Sequence, residues 1–461
     1  MNSYQKLLSN TALFAVSTFG SKVLVFLLMP FYTRVLSTAD YGVMDIVVQA
    51  GNLLVPLASV GVANSVTRFG LERGRDKSCV FTTALLTNLC GLLLLGLCLP
   101  LLGRVPFLTD YTYLIFLFVL MACVHSVLAN FVRALGHLRL FALDGIFRTV
   151  LTIALNVLFL VGMDMGVEGY VLATILSDLT ASVPLFLYGK LYHYVSLAAL
   201  EKSTAAEMLR YCVPLIPTTV CSWIINISDR YLIICLIGES AAGIYAVANK
   251  IPTVLLIVAN IFAEAWQISA LTDADEAAKE RFFSNVFGVY QSIAFLTGSA
   301  LVLTARITTR LLAAPEYYGA WRYIPTLVLA TTFACLSAFL ASVYMVEKRS
   351  GATFATTLLA AGLNVAGNLW LIPLWGASGA ALSTFGSYLL MFAVRAVHAR
   401  RLIPIRWSLP KFLLNFGLLG LQCVLMLWEV PWWPVWTGLC FLAVCAANQR
   451  QVFQALRKII E

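Results

Sequence analysis

The segment from Cys79 to Leu102 reads CVFTTALLTNLCGLLLLGLCLPLL and contains no charged residue. A helix needs about 20 mostly apolar residues to cross the hydrocarbon core of a bilayer, so this segment predicts a transmembrane helix. The whole chain has the same character, because 61% of its 461 residues are hydrophobic and only 11% are charged. Soluble proteins carry about 25% charged residues. The composition predicts a polytopic membrane protein and excludes a soluble enzyme, a disordered chain and a secreted disulfide scaffold.

Fourteen apolar segments of this kind follow one another along the sequence. We therefore predict an all-α polytopic membrane protein with about 14 transmembrane helices. The first half gives 10–35, 43–69, 79–102, 111–134, 146–163 and 168–189. The second half gives 208–236, 241–268, 283–305, 323–345, 351–373 and 377–397, and two further segments follow at 412–429 and 431–447.

The positions of Lys and Arg predict the orientation, because the cytoplasmic loops of membrane proteins are enriched in these residues. With fourteen spans, both termini lie on one side of the membrane. About 21 of the 31 Lys and Arg residues lie in or beside the loops on that side. The opposite loops contain Arg104, Arg306, Arg310 and Arg322. We therefore predict that the N and C termini are cytoplasmic.

Short motifs recur in the two halves of the chain. Gly166-Val-Glu-Gly169-Tyr-Val-Leu172-Ala-Thr174 is matched by Gly376-Ala-Ser-Gly379-Ala-Ala-Leu382-Ser-Thr384 at an offset of 210. The pair Asn156-Val is matched by Asn364-Val at an offset of 208, and Leu36-Ser-Thr-Ala-Asp-Tyr-Gly42 by Ile237-Gly-Glu-Ser-Ala-Ala-Gly243 at 201. Matches in the same order at nearly equal offsets indicate an internal repeat.

The repeat predicts two six-helix lobes followed by two appended helices. Because six is an even number, both lobes insert in the same orientation, which gives a parallel repeat. Transporters with internal repeats bind substrate at the repeat interface near the middle of the membrane. We predict a first lobe over 1–200, a second lobe over 201–405, and two C-terminal helices with a cytoplasmic tail over 406–461, all around a central cleft.

Several blocks resemble a known family. The chain opens with Asn10-Thr-Ala-Leu-Phe, Gly20-Ser-Lys and Pro30-Phe-Tyr-Thr-Arg34-Val-Leu-Ser-Thr-Ala-Asp40-Tyr-Gly42, and later contains Leu209-Arg-Tyr-Cys-Val-Pro214-Leu-Ile-Pro217 and Ser228-Asp-Arg230-Tyr. With the segment from Gly376 to Thr384, these blocks resemble the polysaccharide transporters, the Wzx-type oligosaccharide-lipid flippases of the multidrug/oligosaccharidyl-lipid/polysaccharide exporter superfamily. The resemblance extends over about residues 10–400.

The resemblance implies alternating access in a prokaryotic plasma membrane, with an undecaprenyl-pyrophosphate-linked glycan as cargo. On this reading the protein moves a lipid-linked oligosaccharide from the cytoplasmic to the outer leaflet during synthesis of a cell-surface polysaccharide. Its partners would be the lipid-linked oligosaccharide, membrane lipids, and a glycan polymerase or glycosyltransferases of the same pathway. No nucleic acid is expected as a partner.

Polar residues inside predicted spans are functional candidates, because placing them in a membrane is costly. At helical spacing, one face of the second span carries Asp45, Gln49, Asn52, Pro56 and Ser59. One face of the eighth span carries Lys250, Asn260, Glu264 and Gln267. The offset of 201 relates these two spans, so we predict that both polar faces line the cleft. The alternative is that they hold helices together within each lobe.

Four basic residues, Lys22, Arg34, Arg230 and Lys250, would make this cleft cationic and suited to a pyrophosphate group. Arg230 has a local alternative as an ion pair with the neighbouring Asp229 or a residue at the membrane edge. Arg148 and Asp178 lie nearer the cytoplasmic ends of their spans, and we interpret them as structural. Tyr41, Tyr245, Trp223 and Trp266 could stack on sugars or belong to the interfacial aromatic belts.

The sequence contains no Walker A motif, so we expect no cofactor, no metal site and no ATP hydrolysis by this chain. Protons, sodium ions or the membrane potential are the candidate energy sources, with Asp45 and Glu264 as the candidate coupling carboxylates.

Three alternatives stay open. The chain could be an ion-coupled exporter of drugs or other small molecules, or a flippase for a lipid-linked peptidoglycan precursor, in both cases within the same superfamily. A membrane glycan polymerase or glycosyltransferase fits least well. The four histidines do not cluster in sequence, and Asp273-Ala-Asp275 lies in a short hydrophilic turn that is typical of a solvated charge run. We therefore predict that the chain is not an enzyme.

Overall fold

Every regular element in the described part of the chain is helical. A computed structural model describes residues 26–460, with the exception of 27, 73, 106, 261–275 and 348. Within this part, twelve helical segments are long and apolar enough to cross a membrane. The prediction of an all-α, multi-pass membrane protein is confirmed.

The chain divides into two compact units, Met1–Trp223 and Ile224–Glu461. The helices of the first unit are α1 (Met29–Val35), α2 (Thr38–Ala58), α3 (Val62–Leu71), α4 (Lys77–Leu102), α5 (Thr112–Ala134), α6 (Leu138–Asn156), α7 (Gly166–Tyr188) and α8 (Lys202–Cys212). The division falls within α9 (Ile216–Leu236). The three-part division over 1–200, 201–405 and 406–461 stays a prediction.

The helices of the second unit that follow α9 are α10 (Glu239–Lys250), α11 (Glu276–Leu312), α12 (Ile324–Val346), α13 (Ser350–Trp375), α14 (Ala377–Ala399), α15 (Leu409–Leu427) and α16 (Trp433–Ile460). After α10, residues 253–260 are also helical, and the apolar segment runs as Glu239–Asn260.

In the first unit, α5 is the central helix, since it packs against α2, α3, α4, α6 and α7. The rings of Phe81 and Phe131 stack between α4 and α5 with centroids 4.4 Å apart, and both residues are fully buried. Lipid tails are as apolar as these side chains, so close van der Waals contact rather than exclusion from water holds such helices together.

In the second unit, α12 packs against α11 and α14, and α13 packs against α14. Phe333 on α12 contacts the rings of Phe385 and Phe392 on α14 and of Phe412 and Phe416 on α15, with centroids 5.2–6.1 Å apart. This aromatic cluster joins the appended helix α15 to the rest of its unit.

The recurring glycine motif forms the same turn in both units. Gly166 and Gly376, which begin the two copies, have φ angles of 54° and 60°, a left-handed conformation that favours glycine. Three residues later, a Cβ on Gly169 would lie 3.1 Å from Phe159 Cβ, and a Cβ on Gly379 would overlap the carbonyl oxygen of Leu371. In both units the motif therefore reverses the chain between two helices that touch closely.

Some predicted helix bounds were wrong. The predicted span 43–69 is two helices, because Val60 and Gly61 have φ angles of 53° and 64° and break the helix between α2 and α3. The predicted span 146–163 starts earlier, at Leu138, so Asp144 lies inside α6 and not in a loop. The predicted span 283–305 lies within the longer α11, which also contains Arg306 and Arg310.

The last two helices are joined to the second unit by buried polar contacts. Gln422 on α15 accepts a hydrogen bond from Ser299 Oγ of α11 at 2.7 Å and donates one to the carbonyl oxygen of Thr437 on α16 at 3.0 Å. Two turns earlier on α15, Asn415 pairs with Asn448 of α16. Two turns after Ser299 on α11, Arg306 ion-pairs with Glu429 and stacks over the Trp321 and Trp433 rings.

Candidate functional site

The predicted polar face of the second span lies on α2 in the first unit. Asp45 is buried, with 4% of its surface exposed, whereas Gln49 is half-buried and Asn52 is exposed. Asn52 Nδ2 lies 3.4 Å from Gln49 Oε1 and donates a hydrogen bond to it. The face therefore runs from the interior of the unit at Asp45 to its surface at Asn52.

The first turns of α9, which belong to the same unit, contact α2 at Gln49. Trp223 donates a hydrogen bond from its indole Nε1 to the carbonyl oxygen of Gln49 at 2.9 Å. Tyr41, one turn before Asp45 on α2, is buried, and Trp223 is half-buried. Of the two aromatic residues, Trp223 is thus the one that lies beside the polar face and remains partly accessible.

In the second unit, the predicted residue Arg230 lies on α9 beside a buried carboxylate. Arg230 is 9% exposed and its neighbour Asp229 is 1% exposed. Asp229 Oδ1 accepts a hydrogen bond from the backbone N–H of Arg230 at 2.8 Å, and Oδ2 accepts one from the hydroxyl of Tyr245 at 2.7 Å. Tyr245 on α10 is fully buried. It therefore acts here as a hydrogen-bond donor inside the unit and not as an exposed stacking platform.

Three of the remaining predicted residues lie at the ends of helical segments, and the others lie outside the described residues. Lys250 is half-buried at the end of α10, and Asn260 is exposed at the end of the same apolar segment. Arg34 is exposed in the last turn of α1. Lys22, Glu264 and Gln267, together with Trp266, lie outside the described residues. Within the described residues, the structure brings together Asp45, Gln49 and Asn52 in one unit, and Arg230 with Asp229 and Tyr245 in the other. That all of these residues share a cleft stays a prediction.

Sequence reasoning missed a buried polar network where α9, α13 and α14 meet. Asn364 accepts a hydrogen bond from Ser228 Oγ at 2.6 Å and donates one from Nδ2 to Thr384 Oγ1 at 3.1 Å. Asn368, one turn further along α13, donates to both Ser228 and Asn364 at 3.2 Å. Asn364 and Asn368 are completely buried. A signal was present in the sequence, since Asn364 and Thr384 both belong to the recurring motifs.

These groups can bind polar ligands in two chemically distinct ways. Basic side chains such as Arg34, Arg230 and Lys250 can make charge-assisted hydrogen bonds to an anionic group. Carboxylates and neutral oxygens, as on Asp45 and Asp229, can hold a proton or a cation. Within the described part of the chain, no group of three or more His, Cys, Asp or Glu side chains is placed to hold a metal ion.

The family profile of a group described as polysaccharide biosynthesis protein matches residues 7–267. No curated protein matches the sequence significantly. Among solved structures, the lipid II flippase MurJ in an inward closed conformation has a TM-score of 0.71 and 11% sequence identity, over 98% of this chain and 100% of that chain.

Multidrug transporters share the same fold. An inward-facing multidrug resistance MATE family transporter of the MOP superfamily has a TM-score of 0.65 and 15% identity, over 83% of this chain and 95% of that chain. The MATE multidrug transporter DinF-BH has a TM-score of 0.62 and 16% identity, over 87% of this chain and 96% of that chain. These likenesses establish the fold, and the profile covers more than half of the sequence. The chain therefore belongs to the polysaccharide biosynthesis protein family.

Proposed function

We propose that this protein is a flippase that moves a polyprenyl-pyrophosphate-linked oligosaccharide from the cytoplasmic to the outer leaflet of a prokaryotic plasma membrane. The observation that carries the proposal is the family match over residues 7–267 in a chain with a transporter fold. A protein of polysaccharide biosynthesis with this fold has an evident task, because sugars assembled on a lipid inside the cell must reach its surface.

The architecture supports a lipid-linked cargo over a soluble drug. The MATE structures match 83% and 87% of this chain, whereas the lipid II flippase matches 98% of it. Nearly the whole chain therefore aligns with the flippase fold, including much of the two helices that follow α14. An ion-coupled exporter and a flippase for a peptidoglycan precursor remain the alternatives.

The charges also favour an anionic cargo. Arg34, Arg230 and Lys250, with Lys22 outside the described residues, are the groups that would bind the pyrophosphate. A guanidinium can bind phosphate oxygens through two parallel hydrogen bonds, and a lysine acts on them as a point charge. An exporter of hydrophobic cations would place negative charge at the same positions. The excess of basic residues is therefore the chemical argument for a phosphorylated headgroup.

Translocation would follow alternating access. Moving a charged glycan through hydrocarbon is slow because its polar groups lose their hydration, and a water-filled path that opens to either side in turn avoids that loss. The candidate carboxylates Asp45 and Glu264 would couple this cycle to an ion gradient or to the membrane potential. The chain itself would perform no covalent chemistry, and the glycan would be extended or ligated by separate enzymes.

Deleting the gene in its native host and analysing the lipid-linked glycans tests this proposal. We expect the glycan to accumulate on its lipid carrier in the inner leaflet, and expression of the wild-type chain to restore the surface polysaccharide. Unchanged glycan lipids together with greater sensitivity to cationic drugs would support the exporter instead. Accumulation of the peptidoglycan precursor alone would support the alternative that the protein is a flippase for that precursor.

A further inference from the structure

Three neighbouring helices of the first unit bring four ionisable side chains together. His125 lies on α5, Asp144 and Arg148 lie on α6, and Asp178 lies on α7. His125 Nε2 is 3.2 Å from Asp144 Oδ1 and 3.1 Å from Asp144 Oδ2. Arg148 forms an ion pair with Asp178. Asp178 also interacts electrostatically with His125 and Asp144. These four residues therefore form one cluster, which we call the quartet.

The quartet lies inside the unit. The side chains of His125, Asp144 and Asp178 are 8%, 4% and 1% exposed, and only Arg148, at 40%, has substantial exposure. A buried charge in a membrane protein is costly unless an opposite charge compensates it. The net charge of the quartet therefore decides what else it must bind.

The count of charges leaves the quartet one positive charge short. Two carboxylates contribute two negative charges, and the guanidinium of Arg148 contributes one positive charge. Because Arg148 pairs with Asp178, the uncompensated charge lies at the pair formed by His125 and Asp144. One proton on this pair brings the quartet to neutrality. Histidine is the side chain that ordinarily exchanges a proton near neutral pH.

The helices packed against the quartet carry other charged residues near their ends: Asp40 on α2, Arg68 on α3, Lys77 on α4, Arg133 on α5, Arg139 on α6 and Glu168 on α7. Asp45 differs from these residues because it is buried within α2, where it interacts with Tyr170 on α7. Tyr170 and Asp178 are eight residues apart on α7, which corresponds to about 12 Å along a helix. The quartet is therefore separate from the coupling carboxylate that the sequence suggested.

We propose that His125 and Asp144 form a proton-binding site, completed by the ion pair of Arg148 and Asp178, that couples transport to a proton gradient. The coupling rests on the proposed function, whereas the binding of the proton does not. On the predicted topology, Asp144 is the member of the quartet nearest the cytoplasm, since it is six residues, or about 9 Å, from the first residue of α6. The proton shared by the pair would be exchanged with that side of the membrane.

Histidine-selective 15N NMR of the full chain in lipid nanodiscs tests the binding directly. The protein contains four histidines, and the signal lost in a His125→Gln variant identifies His125. As the pH is lowered, we expect this signal to change from the neutral to the protonated form. His137 is exposed in the loop before α6, so a His137→Gln variant should leave the His125 titration unchanged.

The charge count gives a sharper test. Asp178→Asn makes the quartet neutral without the proton, so the titration midpoint should fall by about 1 to 3 pH units. Arg148→Gln leaves two uncompensated carboxylates, and the midpoint should rise by a similar amount. The double variant restores the original net charge and should titrate close to the wild type. A midpoint that is the same in all four proteins, or a His125 that does not titrate, would overturn the proposal.

Proteoliposomes containing a fluorescent polyprenyl-pyrophosphate trisaccharide test the coupling. We expect a gradient of about one pH unit, a tenfold difference in proton concentration, to accelerate flipping by the wild type and by His137→Gln. The same gradient should have little effect on His125→Gln and Asp144→Asn. If the wild type does not move the probe at all, the proposed function fails while the NMR titration still decides the proton site. If the wild type flips the probe and His125→Gln responds equally to the gradient, the coupling is refuted.

Discussion

A Cβ atom on Gly379 would overlap the carbonyl oxygen of Leu371, so the backbones of α13 and α14 are in direct contact at this point. The contact lies in the recurring Gly-x-x-Gly motif, and a Cβ on the equivalent Gly169 in the first unit would lie 3.1 Å from Phe159 Cβ, a looser but still close approach. Small residues allow membrane helices to approach closely enough for extensive van der Waals contact. The motif is therefore a packing device that both units use.

Replacing Gly379 with alanine should destabilise the protein. The added methyl group must push the two helices apart, and overpacking of this kind costs about 1–3 kcal/mol. The change in melting temperature is measured by heating the protein in detergent and monitoring the loss of folded protein by size-exclusion chromatography. Gly386→Ala is the matched control on the same helix, because no atom lies within 4 Å of the place that its added methyl group would take. Equal melting temperatures for the two variants would contradict this account.

Arg395 should not be replaceable by lysine. It is 4% exposed and connects three helices, since it donates to Ser337 O at 2.9 Å, Thr356 Oγ1 at 3.0 Å and Thr357 Oγ1 at 2.9 Å. A lysine ammonium cannot reproduce this planar arrangement of donors. We expect Arg395→Lys to lose about 2 kcal/mol of stability, in line with hydrogen bonds that involve a charged group.

Arg401→Lys is the control for this substitution, because Arg401 lies just beyond the end of α14, outside the buried contacts of that helix. It should melt within a degree or so of the wild type, as surface substitutions usually change stability by less than about 0.5 kcal/mol. A normal melting temperature for Arg395→Lys would show that the three hydrogen bonds contribute little.

Gln422→Leu should weaken the attachment of α15 and α16. The side chain of Gln422 is completely buried, and its loss would leave Ser299 Oγ and the carbonyl oxygen of Thr437 without this partner. Interhelical hydrogen bonds in membrane proteins contribute about 0.6 kcal/mol on average and up to about 1.7 kcal/mol. Limited proteolysis of the loop between α15 and α16 should become faster. The neighbouring Leu421 is exposed, and Leu421→Ala should leave the digestion rate unchanged.

The contacts of Arg306 with Trp321 and Trp433 should depend on its guanidinium group. Its Cζ atom lies 3.7 Å from the ring centroid of Trp321 and 4.6 Å from that of Trp433. Lysine keeps the charge but loses the planar stacking surface. We expect Arg306→Lys to reduce stability by about 1 kcal/mol, the size of a cation–π contact. Tryptophan fluorescence should change with it, and an unaltered spectrum and melting temperature would argue against the stacked arrangement.

The general architecture could be read from the sequence because its signals are local. Apolar length predicts each membrane helix, and the glycine motif marks a turn whose backbone requires glycine at Gly166 and Gly376. The break between α2 and α3 was missed because Val60 has a left-handed backbone conformation, which a β-branched residue rarely adopts. In this turn the backbone N–H of Gly61 donates a hydrogen bond to Ser59 Oγ at 3.2 Å.

The buried ionisable groups were harder to predict because their partners lie on other helices. The start of α6 at Leu138 was missed because the first two turns of this helix contain charged residues, as loops do, and the apolar segment begins only at 146. Asp144 was consequently placed in a loop, and its contact with His125, nineteen residues away in sequence, could not be inferred. The role of Arg395 in joining three helices could not be predicted either, because a single sequence does not show which hydroxyl groups contact its guanidinium.

Neutralising the basic residues should slow the transport of an anionic cargo. A charge-assisted hydrogen bond contributes about 1.5–3 kcal/mol, so Arg34→Gln and Lys250→Gln should each reduce the flipping rate about tenfold or more. Lys202→Gln is the matched control, because Lys202 is exposed at the start of α8. Equal rates in all three variants would remove these residues from the binding site and leave the fold unaffected.

The most direct measurement of the central claim follows the movement of the lipid itself. Proteoliposomes are prepared with a fluorescent polyprenyl-pyrophosphate trisaccharide in both leaflets, and a membrane-impermeant reductant is added to quench the outer leaflet. Without flipping, about half of the fluorescence is protected. We predict that the wild-type protein lets nearly all of the fluorescence be quenched, and that an otherwise identical lipid without the pyrophosphate-linked glycan is not moved. Protection of half the signal in the presence of folded wild-type protein, with and without an ion gradient, would contradict the proposed function.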